Sequence, residues 1–274
     1  AQYLCVDSNV HSPRLVRSSG RSPSDKSSSS KGGIWMDRNE VLASLKSQMV
    51  RCLENLKAVW KFREKIKIDV GTPVSWDNEE HENMLKSLWS HLKPDIGFPG
   101  RKHPHWKSLG FQGEDPQTDF RGGGVLGLRA LLYWAENHSE MARQIINTQP
   151  EKVEQQYPVS TAGITISAHL ATFLGVKLIT LNNKSKPELK GISESPLARA
   201  LSRSFGRDEL DAEGLFFELF SVLMKALDAR WKKSGATYFE FNTVLKGLSE
   251  ELTEILEQEP YYFGVVIKQL QIKT

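Results

Sequence analysis

A single arginine in the stretch GFQGEDPQTDFRGGG, which runs from Gly110 to Gly124, has the residue type and the setting for chemistry. Arg121 follows an acidic turn and precedes three glycines. A guanidinium carries five N–H donors in a rigid planar fork that suits phosphate oxygens. Since glycine has no side chain to obstruct an approaching molecule, another macromolecule could come close to Arg121.

The residues around Arg121 predict how the chain presents it. Asp115 followed by Pro116 is typical of a helix N-cap with proline at the first helical position, so a short helical turn is expected over PQTDF. Gly122 to Gly124 can adopt positive φ and leave backbone N–H groups exposed, and we expect Val125 to open the next helix. Arg121 would then lie on a tight loop between two helices.

A purely structural role for Arg121 is the alternative. The arginine could pair with Asp119 or Asp115 and staple the loop, while the glycines merely make a corner between helices. On residue chemistry alone this alternative stays open.

Two nucleotide-binding motifs are incomplete in this stretch. Gly122, Gly124 and Gly127 satisfy G-x-G-x-x-G, but the preceding DPQTDF indicates a turn or helix start where a dinucleotide fold needs a strand. A P-loop needs Gly-Lys-Ser/Thr, and Gly127-Leu128-Arg129 stands at that place. We therefore expect that the chain does not itself bind a nucleotide through a known loop.

The composition is typical of a soluble globular protein, with 39% hydrophobic and 25% charged residues among 274. The net charge of +3 lies mostly near the N-terminus, so no nucleic-acid partner is indicated. Cys5 and Cys52 are far apart and form neither a disulfide framework nor a zinc motif, which indicates a reducing compartment. No transmembrane run or secretory signal is visible, so we expect a cytoplasmic protein.

The chain has two parts of different character. Residues 1–34 form a serine-rich basic tail that is expected to be disordered, because it has too few apolar residues to offset its ordering entropy. Ser12-Pro13 and Ser22-Pro23 are plausible kinase sites in it. Residues 35–274 are expected to form one compact helical domain.

Helical spacing of apolar residues predicts an all-α fold for that domain. The apolar segment from Ile164 to Leu181 is expected to be helical at first, although VKLITL alone would suit a strand, and the segment from Asn182 to Pro196 is polar and turn-like. The other expected helices are an amphipathic one with Val41, Leu45, Met49, Leu53, Leu56 and Trp60 on one stripe, one capped by Asp77 or Asn78 and ended by Pro94, one after Gly124, one over LFFELFSVLMKALDARW, and one from Tyr238 to Glu257.

The arginine stretch resembles the signature of the ELMO domain-containing family, eukaryotic GTPase-activating proteins for Arf and Arf-like GTPases. The resemblance covers about residues 60–256, and its one departure is Trp134, where phenylalanine is usual. The residues that carry it are Trp106, Gly110, Phe111, Gln112, Pro116, Thr118, Asp119, Phe120, Arg121, Gly122, Gly124, Leu128, Leu131 and Trp134.

The resemblance implies that Arg121 is an arginine finger, supplied in trans to an Arf-family or Arf-like GTPase in its GTP state. The partner would carry GTP and magnesium, and this chain would need no cofactor or metal of its own. Membrane contact would be at most peripheral, through the partner. The residues expected to support the finger loop are Gln112, Thr118, Asp119, Gly122 and Gly124.

Two of these supporting residues have individual roles in that hypothesis. Asp119 is expected to orient the guanidinium by a hydrogen bond, and Gln112 either orients the attacking water or holds the loop. Under the loop, Trp106, Phe111 and Phe120 are expected to be core anchors. His103 and His105 are expected to be solvated loop residues.

A helical scaffold that binds a GTPase or an exchange factor without accelerating hydrolysis is the alternative function. The engulfment and cell-motility branch of the superfamily lacks the arginine and acts as a scaffold for exchange factors of Rho-type GTPases. Since this chain has Arg121, the resemblance favours activation of a GTPase.

Overall fold

The computed structural model describes residues 37–181, 184–204, 211–260 and 262–272, so the predicted disordered tail lies outside the described residues. The chain divides into two compact units, Ala1–Asn55 and Leu56–Thr274. In the first unit, the described residues from Arg38 onward belong to the start of one long helix. The second unit holds the arginine stretch.

The prediction of an all-α fold is confirmed, because helices dominate the described ranges. Short 3₁₀ helices span Pro104–Leu109 and Pro116–Gly122. Within the described ranges, no helix is both long enough and apolar enough to cross a lipid bilayer. The α-helices are α1 (Arg38–Gly71), α2 (Glu79–Leu92), α3 (Gly124–Asn137), α4 (Ser139–Asn147), α5 (Val159–Phe173), α6 (Pro196–Ser204), α7 (Ala212–Ser234), α8 (Phe241–Glu257) and α9 (Phe263–Ile272).

One small antiparallel sheet interrupts the helices. Strand β1 (Val176–Leu181) pairs with β2 (Lys184–Leu189), with Val176 opposite Leu189. VKLITL is therefore a strand, and part of the segment predicted as turn-like is its partner. Gly175, with φ of 90°, ends the preceding helical segment and lets the chain reverse into β1.

Local capping signals place α2 as predicted. The Asn78 side chain accepts hydrogen bonds from the backbone N–H groups of Glu80 and His81, which satisfies two donors of the first turn. Lys93 is the C-cap, directly before Pro94. The side chains that α2 buries include Leu85, Leu88, Trp89 and Leu92.

The core of the second unit lies where α3, α5 and α7 meet. Gly163 of α5 permits this, because a Cβ there would lie 2.7 Å from Leu131 of α3 and 3.3 Å from Phe220 of α7. Trp134 and Met224 are fully buried in the same core. Helix α2 packs on the side of α3, so α3, which follows the arginine stretch, is held by three helices.

The predicted stripe of α1 is exposed. Met49 and Leu53 are 54% and 58% exposed, and Trp60 is 48% exposed. The α1 residues that enter the core are Val59, Phe62, Arg63, Ile66 and Val70. The periodicity of apolar residues identified the helix. Because α1 carries apolar residues on more than one face, the face that is buried is not the predicted stripe.

Candidate functional site

The turn that carries Arg121 begins as predicted. The Asp115 carboxylate accepts a hydrogen bond of 3.1 Å from the backbone N–H of Gln117, Pro116 occupies the first helical position, and the 3₁₀ helix Pro116–Gly122 follows. The indole N–H of Trp76 donates to the same carboxylate at 2.9 Å. Asp115 is thus a cap that also ties the turn to the segment before α2.

Arg121 is exposed and is held at one atom. Its Nε donates a hydrogen bond of 2.9 Å to the carbonyl oxygen of Thr118. Within the ranges that the structure describes, no carboxylate lies within ion-pair distance of Arg121, and its terminal nitrogens have no protein partner. The nearby acids are used elsewhere: Asp115 caps the turn, and Asp119 binds other groups. The staple alternative is therefore not what the structure shows.

Asp119 holds the loop and does not orient the guanidinium, which corrects the predicted role. Its Oδ2 accepts a hydrogen bond of 2.7 Å from the backbone N–H of Gln112 and one of 3.0 Å from the hydroxyl of Thr161. The hydroxyl oxygen of Thr118 lies 3.3 Å from Oδ1. One carboxylate thus connects the start of the loop, the turn, and the first turn of α5. Thr161 has no sequence signal for this role, because it lies 42 residues from Asp119.

The start of the loop is fixed on the N-terminus of α5. Gly110 has φ of 82°, and a Cβ there would lie 2.3 Å from the backbone nitrogen of Val159. Its carbonyl oxygen accepts a hydrogen bond of 3.2 Å from the backbone N–H of Thr161. The hydroxyl of Ser160 donates a hydrogen bond of 2.6 Å to the carbonyl oxygen of Leu109. The first of these bonds satisfies a backbone donor at the start of α5. Together the two bonds fix the position of the loop.

The three glycines after Arg121 differ from one another in backbone conformation and in packing. Only Gly124 among them has positive φ (56°), and a Cβ there would lie 2.5 Å from the carbonyl oxygens of Asp69 and Val70. At Gly123, a Cβ would lie 2.9 Å from Ile164. At Gly122, a Cβ would meet nothing within 4 Å. Packing therefore requires glycine at the last two positions, and only the first faces open space.

One backbone N–H group of the glycine segment, that of Gly123, is bound within the protein and is not exposed to a ligand. Gly123 donates to the carbonyl of Phe120 at 3.1 Å, and Val125 donates to that of Thr72 at 2.9 Å. Helix α3 begins at Gly124, one residue earlier than predicted. What this segment offers a partner is the arginine itself and the open side of Gly122.

The aromatic anchors under the loop are confirmed. Trp106, Phe111 and Phe120 are buried, with ring centroids 5.6 Å apart for Trp106–Phe111 and 5.8 Å apart for Phe111–Phe120. His103 is half-buried, and its Nδ1 accepts the N–H of His105 at 3.2 Å as the cap of the 3₁₀ helix Pro104–Leu109. His105 is exposed, as expected.

Gln112 is exposed beside this anchored segment. Its backbone N–H is bound to Asp119, whereas its side-chain amide makes no hydrogen bond within the described part of the chain. The amide is thus available to a partner, and the loop is held by the backbone of Gln112.

An ionic cluster supports the end of α1 against which Gly124 packs. Arg129 of α3 pairs with Asp69 and with Glu213 of α7, and Lys65 pairs with Glu213 at 2.8 Å. Asp69 also supplies one of the carbonyl oxygens closest to Gly124. The cluster connects three helices beneath the loop, and sequence reasoning did not find it, because its members are far apart in the chain.

The architecture and the site define a predominantly helical domain that presents an arginine to solvent on a loop fixed to two helices. Residues 64–245 match the ELMO/CED-12 family. The chain therefore belongs to the ELMO/CED-12 family.

Similar proteins from Dictyostelium discoideum carry the same domain name. ELMO domain-containing protein A is 31% identical over 191 residues, which cover 67% of this chain and 19% of that protein. Protein C is 32% identical over 235 residues (85% and 34%), and protein B is 31% identical over 207 residues (75% and 64%). The chain thus spans less than two thirds of the length of each of these relatives.

Proposed function

We propose that the protein is a GTPase-activating protein for an Arf-family or Arf-like small GTPase and that Arg121 is its arginine finger. One observation carries the proposal: the Arg121 fork is exposed and has no acidic partner in the described ranges, while both neighbouring acids are bound to other groups. The choice of an Arf-family or Arf-like partner rests on the resemblance of the arginine stretch to the ELMO domain-containing family. Family membership supports the proposal, since the arginine lies inside the matched region.

The chemistry assigned to Arg121 is charge stabilisation. Hydrolysis of GTP needs a water in line with the γ-phosphate and neutralisation of the charge that develops on the phosphates. An arginine supplied by a partner protein increases the rate by about 10³ to 10⁵. The terminal nitrogens of Arg121 would donate to the phosphate oxygens, while the GTPase would hold the nucleotide and magnesium.

The contacts around the loop serve this role by positioning Arg121 before the partner arrives. A donor that is already fixed costs little reorganisation when the reaction occurs. Asp119 fixes the loop to α5, Gly124 fixes it to α1, and the Thr118 carbonyl orients the guanidinium through Nε. The open side of Gly122 leaves room for the surface of the GTPase.

Gln112 is a second group that could act at the nucleotide. Its free amide carries both a donor and an acceptor, which suits orientation of the attacking water or contact with the partner. We propose it as a positioning residue, subordinate to Arg121.

The test is single-turnover phosphate release from a panel of purified Arf-family GTPases loaded with GTP, with and without this protein. We expect acceleration of at least one member and none of a Rho-type GTPase. Arg101→Lys is the matched control for substitution of Arg121, since Arg101 is also exposed but pairs with Glu82 at 2.9 Å. Binding to a GTP-loaded partner with no acceleration of any member would contradict the proposal and favour a scaffold.

A further inference from the structure

The first half of α1 carries an exposed apolar face that the proposed function does not use. Leu42, Leu45, Met49 and Leu53 are 47%, 49%, 54% and 58% exposed. We call these four residues the N-terminal stripe. They recur at intervals of three and four residues and therefore share one side of the helix. A continuous apolar face of this kind marks an interaction site more often than an isolated exposed leucine does.

Two basic residues lie beside the N-terminal stripe, and both acidic residues of this helical segment lie away from it. Arg38 lies on the same side, one turn before Leu42, and Lys46 borders the stripe beside Met49. Helical geometry puts Glu40 and Glu54, together with Arg51, on the other side. The stripe side of this helical segment is thus apolar with basic residues at its edge, while its acidic residues lie on the other side.

We propose that the N-terminal stripe lies in the surface of an anionic lipid bilayer, with the helix parallel to the membrane. A helix with one apolar side and basic residues beside it binds in this way, through burial of apolar area and attraction to anionic head groups. The sequence directly before the helix strengthens this attraction, because residues 1–36 contain five basic and two acidic residues. No direct membrane contact is needed for the chemistry of Arg121.

The same residues fit a second copy of this chain less well. A two-helix coiled coil through the stripe would have Leu42, Leu45, Met49 and Cys52 at its centre. The flanking positions would hold Val41, Lys46, Gln48, Leu53 and Asn55, so oppositely charged pairs between helices are missing. The segment also provides fewer than about three heptads, which is short for a stable coiled coil.

The test is flotation of the full chain with vesicles of phosphatidylcholine alone or of phosphatidylcholine with phosphatidylserine. We expect binding to the anionic vesicles that weakens with added salt, and little binding to the neutral ones. The double variant Leu45→Gln/Met49→Gln should lower the partition coefficient at least about tenfold, because both side chains lose apolar burial in the bilayer. Thermal melts should match the parent, since both residues are exposed.

The matched control is Ala43→Gln/Ser47→Gln, which makes the same change on the other side of the helix at two exposed positions. It should retain binding within about twofold. Equal loss in both double variants, equal binding to both vesicle types, or no binding to either would overturn the proposal. So would a dimer in sedimentation without vesicles that only the Leu45→Gln/Met49→Gln variant dissociates, since that result assigns the stripe to a second copy.

The outcome is separable from the activity of Arg121. The Arg121→Lys variant should bind vesicles like the parent, and the stripe variant should accelerate hydrolysis normally for a GTPase in solution. Loss of vesicle binding in Arg121→Lys would contradict a stripe-based contact.

Discussion

The Nε of Arg121 donates to the carbonyl oxygen of Thr118 at 2.9 Å, across one turn of the same 3₁₀ helix. A carbonyl orients the guanidinium plane but carries no net charge, so the positive charge stays available for an anion. Thr118 is itself fixed, since its hydroxyl donates to the carbonyl of Asp115 at 2.9 Å. The arrangement orients an arginine without neutralising it, which a carboxylate partner would not do.

Replacement of Arg121 by lysine should abolish most of the stimulated hydrolysis. Lysine keeps the charge but has neither the planar fork nor an Nε–H for the Thr118 carbonyl. We expect a loss of about 10³-fold or more in single-turnover rate, or about 4 kcal/mol of transition-state stabilisation. Pull-down of the GTP-loaded partner and the melting temperature should be nearly unchanged. A melt well below that of the parent and of Arg101→Lys would instead make Arg121 a structural residue.

Asp119→Ala should destabilise the fold and weaken activation indirectly. The substitution removes the acceptor for the Gln112 N–H and the Thr161 hydroxyl, and we expect a loss of about 1–3 kcal/mol in the free energy of unfolding. Thr161→Val removes one of the two bonds and should cost about 1 kcal/mol. Urea unfolding of both variants measures these losses. Unchanged stability in Asp119→Ala would show that these bonds do not hold the loop.

Replacing Gly124 or Gly122 by alanine should distinguish a glycine that internal packing requires from one that leaves room for a partner. Gly124→Ala should cost more than about 2 kcal/mol, because the position has positive φ and the added Cβ would overlap backbone carbonyls. Gly122→Ala should change stability by less than about 1 kcal/mol, since nothing lies within 4 Å of the added Cβ. If the GTPase surface approaches Gly122, this variant should nevertheless activate more weakly. Normal activation by Gly122→Ala would place the partner surface elsewhere.

Trp134→Phe should lower the free energy of unfolding less than Trp231→Phe does. Both tryptophans are fully buried, but the indole N–H of Trp134 has no partner among the described residues, while that of Trp231 donates to the carbonyl of Gln155. Trp134→Phe removes a donor that has no partner, whereas Trp231→Phe leaves the carbonyl of Gln155 without its donor. We expect the two losses of unfolding free energy to differ by about 1–3 kcal/mol. Equal losses would show that water or another group satisfies the Trp134 indole.

Short-range signals predicted the local elements around the site well. The caps at Asn78 and Asp115, and the helix over LFFELFSVLMKALDARW, follow from interactions within four residues of each other, and the structure confirms them. The hairpin was harder to predict, because β2 is the polar segment KSKPEL and contains a proline. Such a strand depends on its partner β1 and has no apolar alternation of its own.

The amino-acid sequence by itself determined that the chain is helical, that a capped turn precedes three glycines, and that Arg121 stands at the end of that turn. The tertiary structure decided which face of α1 is buried, that Asp119 binds Thr161 across 42 residues, and that Gly124 packs against α1. It also decided that Arg121 has no acidic partner among the described residues. The physical reason is that capping and periodicity act within one or two helical turns, whereas these contacts exist only after separate helices have packed together.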